Sequence, residues 1–467
     1  MQETERLIPR LALIFLVGLV LISSPRPRTV VEAYAALEAA YRAGDPRAQA
    51  EAAAVLAERQ TWRVDLWEKS ARFALAAGGR QLAVDYLLEA RSRGQLSPDG
   101  LFTLGETYLQ LGKVEQAEQA WEDLPENPEA VRSLAELHTR RGNFPAAVRD
   151  WQAYLELLKE PPPEPVRERI GLVLAAHRPD QALSHLEAAA AESERAERLA
   201  VTLREVSGEG RAYQLLRSGQ TLAALGEWDL AEYAMRRAVD FRPDYPEAWA
   251  YWGEALQHVR NPDRDPERAL KKALELAPDS PLPHMFYGLY LQRRDQHLQA
   301  LEHFQAAEAF WPDHPEVYFE QGQSLAVLGD LEGAAEQYLK AVDVLPENVR
   351  AHVRLAEFTL EFHYQVEELG LPAARRAVEL APDDPEALIT LGRVFKALDD
   401  EASAVKFFYR ALEVNPQNAA AHLYLGVTYL EGGEKDRAAG HLRMVLRLAD
   451  HPALKKRAES LLVLTGE

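Results

Sequence analysis

The stretch PEALITLGRVFKALDDEASAVKFFYRALEVNP, residues 385–416, holds in one place a pattern that organises about half of the chain. Leu388, Leu391 and Phe395 recur at helical spacing around Gly392, and Ala404, Phe408 and Ala411 continue with the same period before Pro416. The glycine returns at Gly219, Gly253, Gly288, Gly322, Gly392 and Gly426, with Ala356 standing in once; the steps are 34, 35, 34, 34, 36 and 34 residues. Pro243, Pro278, Pro312, Pro346, Pro382 and Pro416 keep the same clock. An alanine precedes each proline by five residues, from Ala238 to Ala411. Repeats of this length belong to stacked arrays.

Each unit reads as helix, short turn, helix. In the first, Leu215, Leu216, Leu222 and Leu225 share a face, Gly226-Glu-Trp-Asp turns the chain, and Leu230, Ala231, Met235 and Ala238 line a second helix. Gly219 and Ala231 are the small positions that let the two helices approach. Proline, lacking an N–H, closes the second helix. Acidic residues beside it, as in Pro382-Asp-Asp-Pro-Glu, suit the cap and first turn of the next. A lone unit cannot bury its apolar face, so neighbours must stack.

The units resemble the tetratricopeptide repeat. That family's bulky residue, Leu-Gly, Tyr, Ala, aromatic, Ala and Pro are matched by Leu388, Leu391-Gly392, Phe395, Ala404, Phe408, Ala411 and Pro416. A second unit gives Tyr318, Gly322, Leu325, Ala334, Tyr338, Ala341 and Pro346. A third gives Trp249, Trp252-Gly253, Leu256, Leu270, Ala273 and Pro278. The resemblance implies an all-α, right-handed superhelical solenoid of antiparallel helix pairs, with about 11–12 repeats; one N-terminal hydrophobic helix is expected to precede it. Seven regular repeats are expected over 212–450 and a capping helix over 451–467. Residues 30–160 read as degenerate repeats: Leu101, Leu104-Gly105, Tyr108, Ala117 and Trp121 match well, and Leu134, Ala135, Ala147 and Trp151 follow. Glu160-Pro-Pro-Pro-Glu-Pro165 opens a stiff break, and 161–211 reads either as an irregular joint or as two worn repeats.

Residues 1–29 differ from the rest. Leu11–Ile22 is an uninterrupted apolar run, and from Leu7 to Ser24 a helix would extend about 27 Å, nearly enough for a hydrocarbon core of about 30 Å. A single membrane anchor over 7–24 is the expectation. A cleaved signal peptide is the rival, weakened because Leu21 and Ile22 occupy positions that should be small; a buried helix is the third reading. Arg6 and Arg10 before the run and Arg26 and Arg28 after it nearly balance. The repeats are expected on the non-cytoplasmic side, or exported if the segment is cleaved.

Composition excludes much. The 467 residues include no cysteine, which removes disulfides, thiolate zinc sites and cysteine nucleophiles. A net charge of −20 repels phosphate backbones, so nucleic acid is not an expected partner. Phosphate loops, His-Glu-x-x-His and Gly-x-Ser-x-Gly are absent from the sequence. No catalytic, cofactor or metal site is expected. His284, His297, His303 and His314 form the tempting group, but His284, His352 and His422 all occupy the repeat's bulky first position, which favours a structural role.

What remains is shape. In the family the first helix of each unit lines a concave groove for a peptide or partner helix. Carried over, that phase gives an apolar floor of Leu216, Ala250, Met285, Phe319, Val353, Ile389 and Leu423, unless these residues pack between repeats. Arg217, Tyr251, Phe286, Glu320, Arg354, Thr390 and Tyr424 lie beside it, with Gln220, Glu254, Gln323, Glu357 and Arg393 further along. The candidate partner-binding residues are Arg217, Tyr251, Glu254, Met285, Phe286, Phe319, Arg354, Ile389, Arg393 and Tyr424. The function expected is a non-enzymatic, membrane-tethered scaffold for a protein or peptide partner. An assembly factor for an envelope secretion, pilus or polysaccharide system is the alternative, and an enzyme with its site in 161–211 is the alternative from another class.

Overall fold

A computed structural model describes residues 27–259 and 265–466. Among these residues there are 26 α-helices, one π-helical turn and no strand. The expected N-terminal hydrophobic helix, and with it the span 7–24, lies outside the described residues. Among those described, no helix is long and apolar enough to cross a membrane. The chain divides into two compact units, the first ending at Ser207 and the second beginning at Gly208.

Unit 1 contains α1 (Arg28–Ala43), α2 (Pro46–Arg59), α3 (Val64–Ala76), α4 (Arg80–Arg93), α5 (Pro98–Gln110), α6 (Val114–Glu122), α7 (Pro128–Arg140), α8 (Phe144–Leu157), α9 (Glu164–His177), α10 (Pro179–Ala189) and α11 (Glu194–Glu205). Asp45, Ser97, Asn127 and Ser193 accept hydrogen bonds from the free amides at the starts of α2, α5, α7 and α11. Within 161–211, α9 and α10 pack as a pair through Gly171, whose Cβ would meet Leu186 Cδ2 at 2.6 Å.

Unit 2 is seven helix pairs and a closing helix. The pairs are α12 (Arg211–Ala224) with α13 (Trp228–Phe241), α14 (Pro246–Leu256) with α15 (Pro266–Leu276), and α16 (Pro281–Gln292) with α17 (His297–Phe310). They continue with α18 (Pro315–Val327) and α19 (Leu331–Val344), α20 (Val349–Glu361) and α21 (Leu371–Leu380), α22 (Pro385–Ala397) and α23 (Glu401–Val414), and α24 (Ala419–Glu431) and α25 (Lys435–Leu448). The last is α26 (Pro452–Thr465), whose Leu454, Leu461 and Leu462 pack on Leu442 and Val445.

The glycine clock has a steric cause. A Cβ on Gly288 would stand 2.5 Å from Phe304, one on Gly392 2.5 Å from Phe408, and one on Gly322 2.8 Å from Tyr338. Each first helix thus gives up a side chain so that a large one on the second can seat against its backbone; Phe304 and Phe408 are fully buried. Seven residues beyond the glycine, or beyond Ala356, six of the seven repeats turn through a left-handed residue among those described. Glycine takes that place at Gly226, Gly329 and Gly433, but Asp295, His363 and Asp399 hold it at φ 58°, 48° and 59°.

The bulky first position also has a defined task. Trp249 Nε1 donates to the Pro243 carbonyl (2.8 Å), the Tyr318 hydroxyl to Pro312 (2.6 Å), and Nε2 of His284 and His352 to Pro278 and Pro346 (2.9 Å each). These donors satisfy a carbonyl left at the turn between repeats.

The missed beat at Ala356 is explained by an exchange of roles. Two extra residues enter as the π-helical turn Val366–Gly370, preceded by Gln365 at φ 46°. The close approach then falls to Gly370 on the second-helix side, where a Cβ would meet Thr359 Oγ1 at 2.2 Å. The first-helix position no longer needs glycine.

Candidate functional site

The expected apolar floor is not a surface. Leu216, Ala250, Met285, Phe319, Val353, Ile389 and Leu423 are all at most 7% exposed. Met285 belongs to a core cluster with Leu270 of the preceding pair, and Phe319 to one with Tyr338 and Leu355. This position on the first helix faces a neighbouring pair, so apolar side chains there are withdrawn from solvent. Met285, Phe319 and Ile389 therefore support the surface from beneath.

The flanking position is half-open, except for Thr390, which is buried. Tyr251 and Phe286 meet edge-to-face, with ring centroids 4.9 Å apart at 76°. Burial raises the pKa of the Tyr251 phenol, while Arg217 and a hydrogen bond to Gln220 act the other way. Arg217, Tyr251 and Phe286 occupy successive first helices, with half-buried Leu289 one turn further on.

Along the rest of this face cations meet carboxylates of the adjacent repeat. Arg293 holds Glu254 in a two-point contact (2.7 and 2.9 Å) and reaches Gln257 (2.8 Å). Burial opposes ionisation of Glu254, but Arg293 outweighs it and keeps the carboxyl below its usual range. Arg354 donates to Glu316 (2.9 Å) and Glu320 (3.2 Å) and lies 4.4 Å from the Phe319 ring centroid. Arg393 donates to Glu357 (2.9 Å) and lies 5.3 Å from the Tyr424 ring centroid. Lys396 pairs with Glu431. Sequence reasoning missed Arg293, Glu316, Lys396 and Glu431. The available signal was opposite charge on first helices at separations of 35 to 39 residues.

The four histidines singled out by sequence do not converge. His284 pairs with His303, the His314 ring stacks on Trp311 with centroids 4.6 Å apart, and His297 is buried at the start of α17. Among the described residues no group of three or more His, Cys, Asp or Glu is placed to hold a metal ion. In the segment 161–211, Arg167 donates to the Pro162 carbonyl (2.6 Å), Arg195 faces Glu168 (3.5 Å), and burial lowers the pKa of His185.

Unit 1 has a cluster that sequence reasoning did not assemble. His138, only 7% exposed, contacts Asp150 through Nδ1 (2.5 Å) and Glu118 through Nε2 (2.9 Å). Arg141 donates to Glu118 and to Glu115 at 2.6 Å each. Burial disfavours the imidazolium, but the two carboxylates prevail and hold His138 above its usual pKa. Burial likewise holds Asp150 above the usual carboxylate range. A concavity of about 880 Å³ lies nearby in sequence, lined by Arg91, Leu96, Leu101, Asp123, Leu124 and Asn127 among others.

Sequence profiles of the tetratricopeptide repeat match residues 69–124, 288–349 and 397–458. The chain carries repeats of this kind. The protein O-mannosyl-transferase Tmtc1 of Drosophila melanogaster is 37% identical over 93 residues, 20% of this chain and 11% of that protein. The BBSome complex member bbs-4 of Caenorhabditis elegans is 25% identical over 155 residues, 32% of this chain and 33% of that protein. The chain thus spans about a tenth to a third of the length of these relatives. A chain in the crystal structure of the APC/C hetero-tetramer Cut9-Hcn1 shares 14% identity, with a TM-score of 0.44 over 96% of this chain and 98% of that one.

Proposed function

We propose that unit 2 is a docking scaffold that receives a segment of a partner protein across the first helices of its early repeats. The observation that carries this reading is the half-open Tyr251–Phe286 pair. Beyond it, from Glu254 to Lys396, the charges on the same face are taken up by their neighbours. A partner charge would have to displace an existing contact there, whereas the aromatic pair offers apolar area without such a cost. The occupant is accordingly an amphipathic helix or extended segment anchored by an apolar side chain. Arg217, Glu254, Arg354, Arg393 and Tyr424 border the docked segment, and Met285, Phe319 and Ile389 set the positions of the residues above them. No step of this reading involves catalysis. Residues 7–24 tether the scaffold to a membrane, with the repeats on the non-cytoplasmic side.

The test is crosslinking and affinity capture of the full-length protein from its native membranes, beside the double variant Tyr251→Ala/Phe286→Ala. Partner recovery is expected to fall at least ~10-fold, since two anchor residues at about 1 kcal/mol or more each are removed. The circular dichroism and Tm of the variant should match wild type. Undiminished recovery would refute the assignment.

A further inference from the structure

Two of the seven pairs in unit 2 carry the same unusual contact. His284 and His303 approach with Nδ1 to Nδ1 at 3.0 Å, and so do His422 and His441, each pair 19 residues apart in sequence. Ring centroids are 5.2 Å apart in both, with interplanar angles of 35° and 37°. Each joins the first helix of a repeat to the second. His352 occupies the equivalent first-helix position in another repeat and makes the same carbonyl contact, to Pro346 (2.9 Å).

The protonation state follows from the partners. A carbonyl can only accept, so Nε2 of His284 donates to Pro278 (2.9 Å) and Nε2 of His422 to Pro416 (3.3 Å). Neutral rings therefore present a bare Nδ1, and His303 and His441 must donate to it from their own Nδ1. In the second dyad the sequence of bonds continues: the Tyr409 hydroxyl donates to Nε2 of His441 (3.3 Å), and the Tyr429 hydroxyl to Tyr409 (3.2 Å). One added proton per dyad keeps the Nδ1–Nδ1 hydrogen bond. A second puts hydrogens on both facing nitrogens, 3.0 Å apart, and the bond is lost.

The surroundings offer little to hold that second charge. Tyr287 stands edge-on to His303, with centroids 4.7 Å apart. From α15, Glu267 reaches the Tyr287 and Tyr290 hydroxyls but is already paired with Lys271 (2.6 Å), and Arg294 covers Tyr290. Toward α18, Glu308 is engaged by Gln321 (2.8 Å). At the second dyad, Arg437 lies over Tyr429 and pairs with Glu434 (2.8 Å), and Tyr409, Gly440 and Met444 line a concavity with the two imidazoles. Burial, reinforced by the neighbouring imidazole, pushes His303 and His441 down to about 4.

We propose that the His284–His303 and His422–His441 dyads are acid-release locks that hold the two helices of these repeats together at neutral pH and let them part on acidification. The sign is fixed by linkage. Unfolded histidines titrate near 6.5, so the contribution is complete above that pH and is lost as pH falls toward 4. Because His284 and Phe286 share one first helix, and His422 and Tyr424 another, parting either helix from its partner moves the face assigned above to partner docking.

The test compares thermal unfolding of the full chain at pH 7.5 and pH 5 with that of the double variant His303→Asn/His441→Asn, whose amides can donate from the same place without titrating. Wild type should lose on the order of 2–4 °C more than the variant over this interval. Equal pH slopes would overturn the proposal. Should the variant fold poorly, hydrogen exchange of wild type decides. After correction for intrinsic rates, protection should fall at pH 5 in 281–310 and 419–448 while 315–344, which lacks a dyad, stays unchanged. Uniform behaviour across the three would overturn it as well. Neither readout needs a partner, so failure here leaves the docking assignment standing.

Discussion

In unit 1 the largest fully buried side chains are Trp121 and Trp151, and a histidine is held between two carboxylates; in unit 2 they include Phe304, Phe358 and Phe408, and histidines are held against each other. Both units build helix pairs with one small-to-large contact between the helices, as at Gly105 against Trp121 and Gly392 against Phe408. The packing rule is the same, and the favoured charge state of the imidazole is opposite. His138 is favoured as imidazolium because two acids surround it, while His303 and His441 are favoured neutral because burial and a second imidazole, with no carboxylate among the described residues bonded to either ring, oppose the charge. The difference teaches that the repeat scaffold specifies volume, and leaves electrostatics to the choice of residue within that volume and to its neighbours.

The largest effect that would sharpen this contrast is loss of an anchor. Trp151→Ala should cost unit 1 about 3–5 kcal/mol, and Phe408→Ala a similar amount in unit 2. Calorimetry with limited proteolysis should show each change confined to fragments of its own unit, because repeat stability is carried by nearest neighbours. Equal loss in both units from either substitution would break the distinction.

Next in size is His138. His138→Gln leaves Glu118 and Asp150 without their shared cation, at a cost of about 2 kcal/mol at pH 6. A raised pKa means that the contribution is complete below about 6.5 and fades as pH rises through the folded value. The gap between variant and wild type should therefore narrow by pH 8.5 in denaturation experiments. This trend runs opposite to that of the dyads, and a gap that widens with pH would remove the contrast.

Much of this was legible in the sequence because it is local. Glycine, alanine and proline at fixed offsets report helix ends and close contacts within one repeat, and the all-helical, repeat-built fold followed from them. The site was harder. In sequence the stripe from Leu216 to Leu423 reads either as an exposed floor beside Arg217 and Tyr251 or as packing between repeats. Whether such a face meets solvent or the next pair depends on how pairs stack, which periodicity within one helix does not report. The ion pairs from Arg293 to Lys396 join residues 34 to 39 apart, and His138 draws partners from 12 and 20 residues away on two other helices. His284 and His303 were noticed, but only the register of two antiparallel helices selects them from among four histidines. The span expected at 7–24 lies outside the described residues.

The smallest expected effect concerns the left-handed turn position. Asp399 occupies it at φ 59°, a conformation glycine takes at Gly226 and Gly433. Asp399→Gly should stabilise unit 2 by about 0.5 kcal/mol, the relief of strain being offset in part by glycine's greater entropy loss. A lower urea midpoint in the variant would mean that the aspartate side chain supplies a local contact worth more than the strain.

The π-helical turn at Val366–Gly370 bears on how such a chain can change length. Two residues inserted into a regular α-helix rotate everything beyond them by about 200°, enough to turn a core face toward water. Here the extra residues are absorbed between Phe362 and Leu371, and Gly392 and Gly426 resume the 34-residue step. An array built in this way tolerates insertions as an expansion joint tolerates heat: the slack is taken up inside one repeat, and the phase of those that follow is kept.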